Sequence, residues 1–412
     1  MELINHASAE IEQYLLNKKL KKAVVFPDGY VKEKYKQTGY DIAVPSSTAL
    51  ASDYIMPQLR SRGLFCSMSL FRVRIRGTHD ELAILRKALA GLHAYCTQGF
   101  LYRFLPVKHR KYDISYRDYI RVLIYGAQHI ARMYNIPAPE VAGVIAGKQM
   151  PLTGIPARLL IGPPSLRNNF GKYFGGNHFI ELQRLNRIYD EKLSRRYRLD
   201  KTPFFLAVHT AGIGLDTIYR RSKARTYLKN STCAALETAA DQRYFFNALQ
   251  ILENYSRAYV CNTYALLKKT LASAFGRDVV DRYCIYNPHN TISRSNGYIY
   301  RHNAINLDDN PVSYVSGNYN MDSLLVVKGE NAERYLNSLD HGYARLLSTS
   351  AGKTSGAAVT RLLCSQRTGT AVSREPVCSP DVLEPYIQFL ERTKAARPVA
   401  SLQPVVNCKQ VS

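Results

Sequence analysis

The chain is 412 residues long and 46% apolar, enough to bury a substantial core, and 56 Lys and Arg against 32 Asp and Glu leave it a formal charge of +24. That surplus makes nucleic acid the expected partner. No window approaches the roughly 18 apolar residues of a membrane span, and the eight Cys include no Cys-x-x-Cys pair, so a reducing cytoplasm is expected rather than a membrane or a disulfide framework.

Length alone would allow two or three domains, but there is no Pro-rich or Ser/Gly-rich linker, internal repeat or low-complexity block. The expectation is one unit over residues 1–412. Met1 to His6 lacks a basic flank before an apolar core, so no signal peptide is expected.

In chain order, Ile11, Tyr14, Leu15 and Leu20 stand at helical spacing and predict a short amphipathic helix over residues 8–20. Pro27 and Asp28 then open a loop. Residues 81–135 have helical period, with Leu82, Leu85, Leu89, Leu92 and later Tyr119, Val122 and Leu123; His93, His109 and His129 within them read as core or surface residues. The pair Gly175-Gly176 introduces Asn177-His178-Phe179-Ile180-Glu181, a predicted strand. Its alternation sets Asn177, Phe179 and Glu181 on one face, His178 and Ile180 on the other. Gln183 to Lys201 reads as a basic helical stretch, and Phe204 to Val208 as a buried strand that ends at His209.

Gly212-Ile213-Gly214 lacks the third Gly of a dinucleotide fingerprint. Residues 233–275 read as helices, and the apolar stretch Val279 to Tyr286 stops at Asn287-Pro288-His289-Asn290. Gly352-Lys353-Thr354 fails as a P-loop because Leu347 stands where the first Gly is needed, though Ser348 to Thr354 keep backbone donors for phosphate. Val382 to Arg392 reads as a helix and residues 404–409 as extended. The pattern by itself supports a mixed α and β protein.

Two features carry chemistry. His178, His209, His289 and His341 all stand beside Gly, Pro or Asn at the ends of apolar runs, where a rigid scaffold presents site residues. Imidazole is the commonest metal ligand. Basic residues are interleaved with tyrosine, as in Arg195-Arg196-Tyr197-Arg198 and in Tyr219 to Tyr227, which holds Arg220, Arg221, Lys223 and Arg225; cations neutralise phosphates while aromatic faces stack bases.

The stretch Gly175-Gly176-Asn177-His178-Phe179-Ile180-Glu181 resembles the signature strand of the RtcB family of RNA-splicing ligases. Other blocks follow in that family's order: Phe26-Pro27-Asp28 to Cys66-Ser67-Met68, Phe205 to Thr210, His289-Asn290, Arg301 to Ala304, His341-Gly342-Tyr343-Ala344-Arg345 and Pro404 to Lys409. The resemblance implies an α+β fold in which a metal and nucleotide site lies between β-sheets with helices packed outside. It implies one or two Mn²⁺ ions on Cys66, His178, His209 and His289, and GTP contacted by Asn177, Phe179, Glu181, Asn290, Arg345 and Lys409. His341 would be the nucleophile, forming a guanylyl-histidine. RNA carrying a 3′-phosphate or 2′,3′-cyclic phosphate would be joined to a 5′-hydroxyl end, in RNA repair or tRNA splicing, with an archease-like activator as a further partner.

The chain departs from the family at several of these blocks. Gly63 stands in place of the Asp of Asp-x-x-Cys, Asp28-Gly29-Tyr30 lacks a His, His302-Asn303 replaces Lys-Gly, Tyr343 replaces Ala, and Val315 to Asn320 replaces a Gly-rich loop. Losing the Asp weakens the first ion selectively. A catalytically silent paralog that binds RNA or a partner is the alternative expectation, and a metal-dependent hydrolase on the same ligands a third.

Overall fold

Five successive apolar residues, Phe204 to Val208, leave a strand with no face for water. The computed structural model sets them inside a seven-stranded sheet that is covered on both sides. The structure describes residues 1–7, 9–15, 19–31, 44–61, 63–97, 114–145, 170, 178–199, 203–210, 235–317, 321–343 and 382–409.

The strands are β1 (Glu2–Asn5), β2 (Lys22–Tyr30), β3 (Ser46–Ser52), β4 (Ser67–Val73), β5 (Phe179–Ile188), β6 (Phe204–Thr210) and β7 (Val280–Pro288). They continue with β8 (Ile292–Ser295), β9 (Gly297–His302), β10 (Ala304–Asn306), β11 (Ser313–Val315), β12 (Ser323–Lys328), β13 (Ser338–Asp340) and β14 (Ala396–Lys409). The large sheet runs β11-β12-β14-β5-β6-β4-β7, with every neighbouring pair antiparallel. A second sheet runs β1-β2-β3-β9-β8, and β10 pairs with β13 alone.

Alternate residues of β6 enter different cores. Leu206 and Val208 join Ile180, Leu182, Phe71 and Val73 beneath the 37-residue helix Ala239–Phe275. Phe205 and Ala207 join Met68, Leu70, Leu325 and Leu402 on the opposite face. A third core spans the sheets: Val24, Phe26 and Ala49 meet Ala304, Ile305, Leu339, Leu324 and Val326. The small β10–β13 pair thus sits where the two larger sheets converge.

The expected mixed α+β architecture is what the structure shows. Helices His79–Thr97, Tyr116–Tyr125 and Ala127–Met133 occupy the stretch of helical period, and Leu383–Thr393 and β14 close the described chain. Among the described residues, no helix is long and apolar enough to cross a membrane.

Three elements differ from expectation. The N-terminal helix is a 3-10 turn, Ala9–Tyr14, although Ile11, Leu15 and Leu20 are buried as its spacing requires. Pro27 and Asp28 lie within β2, where the register with β3 jumps between Val25 and Tyr30, a bulge that tolerates a residue with no N–H. Gln183 to Ile188 continue β5 instead of turning helical, because β14 and, for Gln183 and Arg184, β6 supply ladder partners. Among the described residues only Glu191–Arg196 is helical there, capped by the Asp190 carboxylate, which accepts from the Leu193 N–H at 2.8 Å.

The long helix also fixes the loop ahead of β4. The Ser256 hydroxyl donates to the Phe65 carbonyl at 2.6 Å, and Phe65 itself has a left-handed backbone, φ 56°. Ser256→Ala should therefore cost about 1–3 kcal/mol of stability by leaving a buried carbonyl without its donor, read as a lower urea midpoint at unchanged slope.

Candidate metal and nucleotide site

One row of residues crosses the large sheet: Lys409 is paired with Phe179, Phe179 with His209, His209 with Met68, and Met68 with Asn287. Side chains repeat every second residue, so Cys66, two before Met68, and His289, two after Asn287, fall on the face of His209. The ladder extends to them, with the His289 N–H donating to the Cys66 carbonyl at 2.7 Å. β4 and β5 begin at this edge of the sheet, and β6 and β7 end there. Antiparallel register therefore gathers three positions, Cys66, His209 and His289, spread over more than 200 residues.

The contacts are close. Cys66 Sγ lies 3.1 Å from His209 Nε2 and 3.4 Å from His178 Nε2, and the Nε2 atoms of His209 and His289 face each other at 3.3 Å. Cys66, His209 and His289, all buried, form a group able to hold a metal ion. Tetrahedral coordination with metal–nitrogen bonds of about 2.0 Å and a metal–sulfur bond of about 2.3 Å needs edges of about 3.3 and 3.6 Å; the 3.3 Å nitrogen pair matches and the 3.1 Å sulfur–nitrogen contact is shorter, so the donor set suits one ion with Cys66 and His209 moved slightly apart. Buried His289 Nδ1 has no hydrogen-bond partner among the described residues.

His341 follows β13 and faces this group, its ring centroid 4.4 Å from that of His289 and 6.1 Å from that of His209. Its orientation is set by main chain. The Asn303 carbonyl accepts from the His341 backbone N–H at 3.2 Å and lies 2.9 Å from His341 Nδ1, so an Nδ1–H donates to it and the ring lone pair is left on Nε2. On the other side, Ser316 N–H donates to the His341 carbonyl at 2.9 Å, and the Tyr343 N–H to the Ser316 carbonyl at 3.2 Å. A Cβ at Gly342 would stand 3.1 Å from that Ser316 oxygen, which explains the glycine.

Burial dictates the charge states. It holds the His178 imidazole down to about 4, and it pushes His289 well below the ordinary value, helped by neighbouring His341, His209 and His178. Both rings are neutral near pH 7, the form in which imidazole ligates. Behind His341, the Asp340 side chain accepts from Ser47 Oγ at 2.6 Å and from Tyr386 OH at 3.1 Å. Burial, reinforced by Asp28, raises its carboxyl well above the usual carboxylate range.

Of the expected nucleotide contacts, Phe179 lies 5.6 Å from the His209 ring centroid-to-centroid. Glu181 is buried two residues farther in, its oxygens accepting from Asn407 Nδ2 and Gln183 Nε2, each at 3.0 Å. Asn290, at φ 60°, donates to the Gly63 carbonyl at 3.0 Å and accepts from the Asn303 N–H at 2.6 Å. Lys409 pairs with Phe179 through its backbone. Asn177, Arg345, Arg220, Arg221, Lys223 and Arg225 lie outside the described residues, as do the motifs at 212–214 and 348–354.

Arg195, Arg196 and Arg198 are exposed on or just after the short helix Glu191–Arg196. That helix is fastened by Arg72, whose guanidinium donates to the Tyr197 carbonyl at 2.6 Å. Arg72 is six residues from Cys66 along β4, about 20 Å of strand. These cations are therefore not brought to the imidazole cluster.

Sequence reasoning did not find the Asn303 carbonyl, Ser316, or the Ser47–Asp340–Tyr386 network. Asn303 carried a signal: it has φ 47°, a conformation that Asn tolerates in place of Gly. His302 is directed away from the site and bonds the Leu59 carbonyl.

The family described as tRNA-splicing ligase RtcB matches residues 34–410. A curated relative, RNA-splicing ligase RtcB2 of Escherichia coli, is 26% identical over 263 residues, covering 59% of this chain and 65% of that protein's length.

The Asp340 carboxyl yields a prediction with a defined sign. Its raised value stabilises the fold fully below the unfolded carboxylate value of about 4, and that contribution is lost as pH rises toward the folded value. Urea unfolding at pH 5 and at pH 8 should show the wild type losing stability across this range, while Asp340→Asn loses less.

Proposed function

Because the chain belongs to the RtcB family, with the match running over residues 34–410, we propose that it is a GTP-dependent RNA ligase. It joins RNA 2′,3′-cyclic phosphate or 3′-phosphate ends to 5′-hydroxyl ends through a guanylyl-histidine on His341. The observation that carries this reading is the His341 ring, fixed by the Asn303 carbonyl at 2.9 Å and facing the Cys66/His209/His289 group.

The Nε2 lone pair of His341 attacks the α-phosphorus of GTP. A nitrogen–phosphorus bond forms, the bond to pyrophosphate breaks, and pyrophosphate leaves. No proton has to move in that step: Nδ1 keeps its hydrogen on the Asn303 carbonyl, which stabilises the positive charge developing on the ring. The charged ring is then a good leaving group. A water-opened RNA 3′-phosphate attacks the guanylyl phosphorus and restores neutral His341. The RNA 5′-hydroxyl finally attacks the activated 3′-phosphate and expels GMP, its proton passing to solvent.

Cys66, His209 and His289 would hold a divalent ion, which supplies positive charge opposite the phosphates; manganese is the family's expectation. Glu181 and Phe179 line the same sheet face and are the nucleotide-side candidates, with Asn177, Arg345 and Lys409. The exposed Arg195, Arg196 and Arg198 are the candidates for contact with RNA backbone away from the reacting ends. An archease-like activator is a further partner of this reading.

The second reading, a silent RNA-binding paralog, is favoured by Asn290, whose amide is spent on Gly63 and Asn303. Incubation with α-labelled GTP, a divalent ion and an activator separates the two. The ligase forms an acid-labile, alkali-stable protein adduct that His341→Ala loses completely. Wild-type protein that is metal-loaded yet forms no adduct is the silent paralog.

A further inference from the structure

The family resemblance implies one or two Mn²⁺ ions, and the residues present do not fit a pair. At position 63, where the family places a carboxylate, there is a glycine with no side chain to offer. Its carbonyl is also taken: the Cys66 N–H donates to it at 3.3 Å and Asn290 Nδ2 at 3.0 Å, so the turn is closed on itself. Among the described residues, no carboxylate joins Cys66, His209 and His289 in the metal-holding group. The Asn290 side chain is turned into that turn with both of its polar atoms bonded.

What remains is one sulfur and two imidazole nitrogens, with edges of 3.1 and 3.3 Å. The nitrogen–nitrogen edge suits small tetrahedral coordination, and the sulfur–nitrogen edge reaches it when the thiolate moves slightly away from His209. The donors are soft to borderline. Carboxylate, carbonyl and water favour Mn²⁺ and Mg²⁺, whereas thiolate with imidazole favours zinc and its neighbours, and Mn²⁺ stands at the weak end of the divalent series. His178 is outside that group, and its Nε2 lies 3.4 Å from Sγ, within reach for an N–H to donate to a thiolate.

We propose that this site holds a single thiolate-bound ion of the zinc and cobalt class, and that the second ion of the family has been lost with the carboxylate. The inference rests on the ligase reading for the role of the site but not for its donor chemistry. Cys66 is then a terminal ligand, His209 and His289 complete the protein's share, and the fourth position faces His341 and the substrate phosphates. His178 supports the thiolate without being required for occupancy.

The test is metal binding by the purified full chain, stripped with chelator and reloaded with Zn²⁺, Co²⁺ or Mn²⁺, then dialysed and analysed for metal content. The expected result is one Zn²⁺ or Co²⁺ retained per chain and Mn²⁺ lost. The Co²⁺ form should show the intense visible bands of a tetrahedral ion and a near-ultraviolet thiolate band that Cys66→Ser abolishes. His178→Ala should still take up one ion, held about 10–100-fold more weakly. Gly63→Asp should regain a second, Mn²⁺-binding position. Two Mn²⁺ per wild-type chain, Mn²⁺ retained over Zn²⁺, or no ion retained would each overturn the proposal.

The guanylyl-adduct assay is read separately. A protein that forms the adduct while holding two Mn²⁺ fails this inference alone. One that holds a single Co²⁺ and forms no adduct fails only the ligase reading.

Discussion

Everything at the site depends on the hydrogen-bond register of four antiparallel strands. Phe179, His209, Met68 and Asn287 are held in a single row by backbone pairing. Slipping any one strand by a residue would send its side chains to the opposite face, and His209 would be pushed under the long helix, away from Cys66. The two cores resist that slip. Leu206 and Val208 have their places beneath the helix Ala239–Phe275, and Phe205 and Ala207 have theirs against Met68 and Leu402. Ordinary apolar burial thus does the work of aiming a thiol and two imidazoles at one point.

The second contribution comes from outside that sheet. His341 is delivered by the small β10–β13 pair, and it meets the cluster only because this pair is packed between the larger sheets through Ala304, Ile305 and Leu339. Tyr343, where a small residue is expected from the family, is fully buried and stacks on Tyr386 at 4.7 Å with the rings nearly parallel. The bulky substitution is therefore taken up in packing behind His341 and does not fill the space in front of it.

Much of this was legible in the sequence, for a physical reason. A polar residue at the end of a run such as Phe204 to Val208 has nowhere to go except the rim of a buried sheet, so His209 and His289 announce themselves. Elements failed where the pattern was ambiguous. Leu182, Leu185 and Ile188 lie three apart and mimic a helix face, yet β14 paired along that stretch keeps it extended. Pro27 looked like a strand breaker, but a bulge accommodates it. The commitment of Asn290 to Gly63 was invisible as well, since it depends on two segments more than 200 residues apart meeting at one carbonyl.

The carbonyl of Asn303 collects the His341 backbone N–H and the His341 ring. The group that selects the tautomer of His341 is thus a peptide oxygen, present whatever side chain occupies the position. Drift can rewrite residue 302, residue 343 and the loop after Val315, and the imidazole will still present Nε2 so long as the chain keeps its course there. Such a device depends on the backbone path and not on the side chains around it, so the ring stays posed for as long as that path is kept.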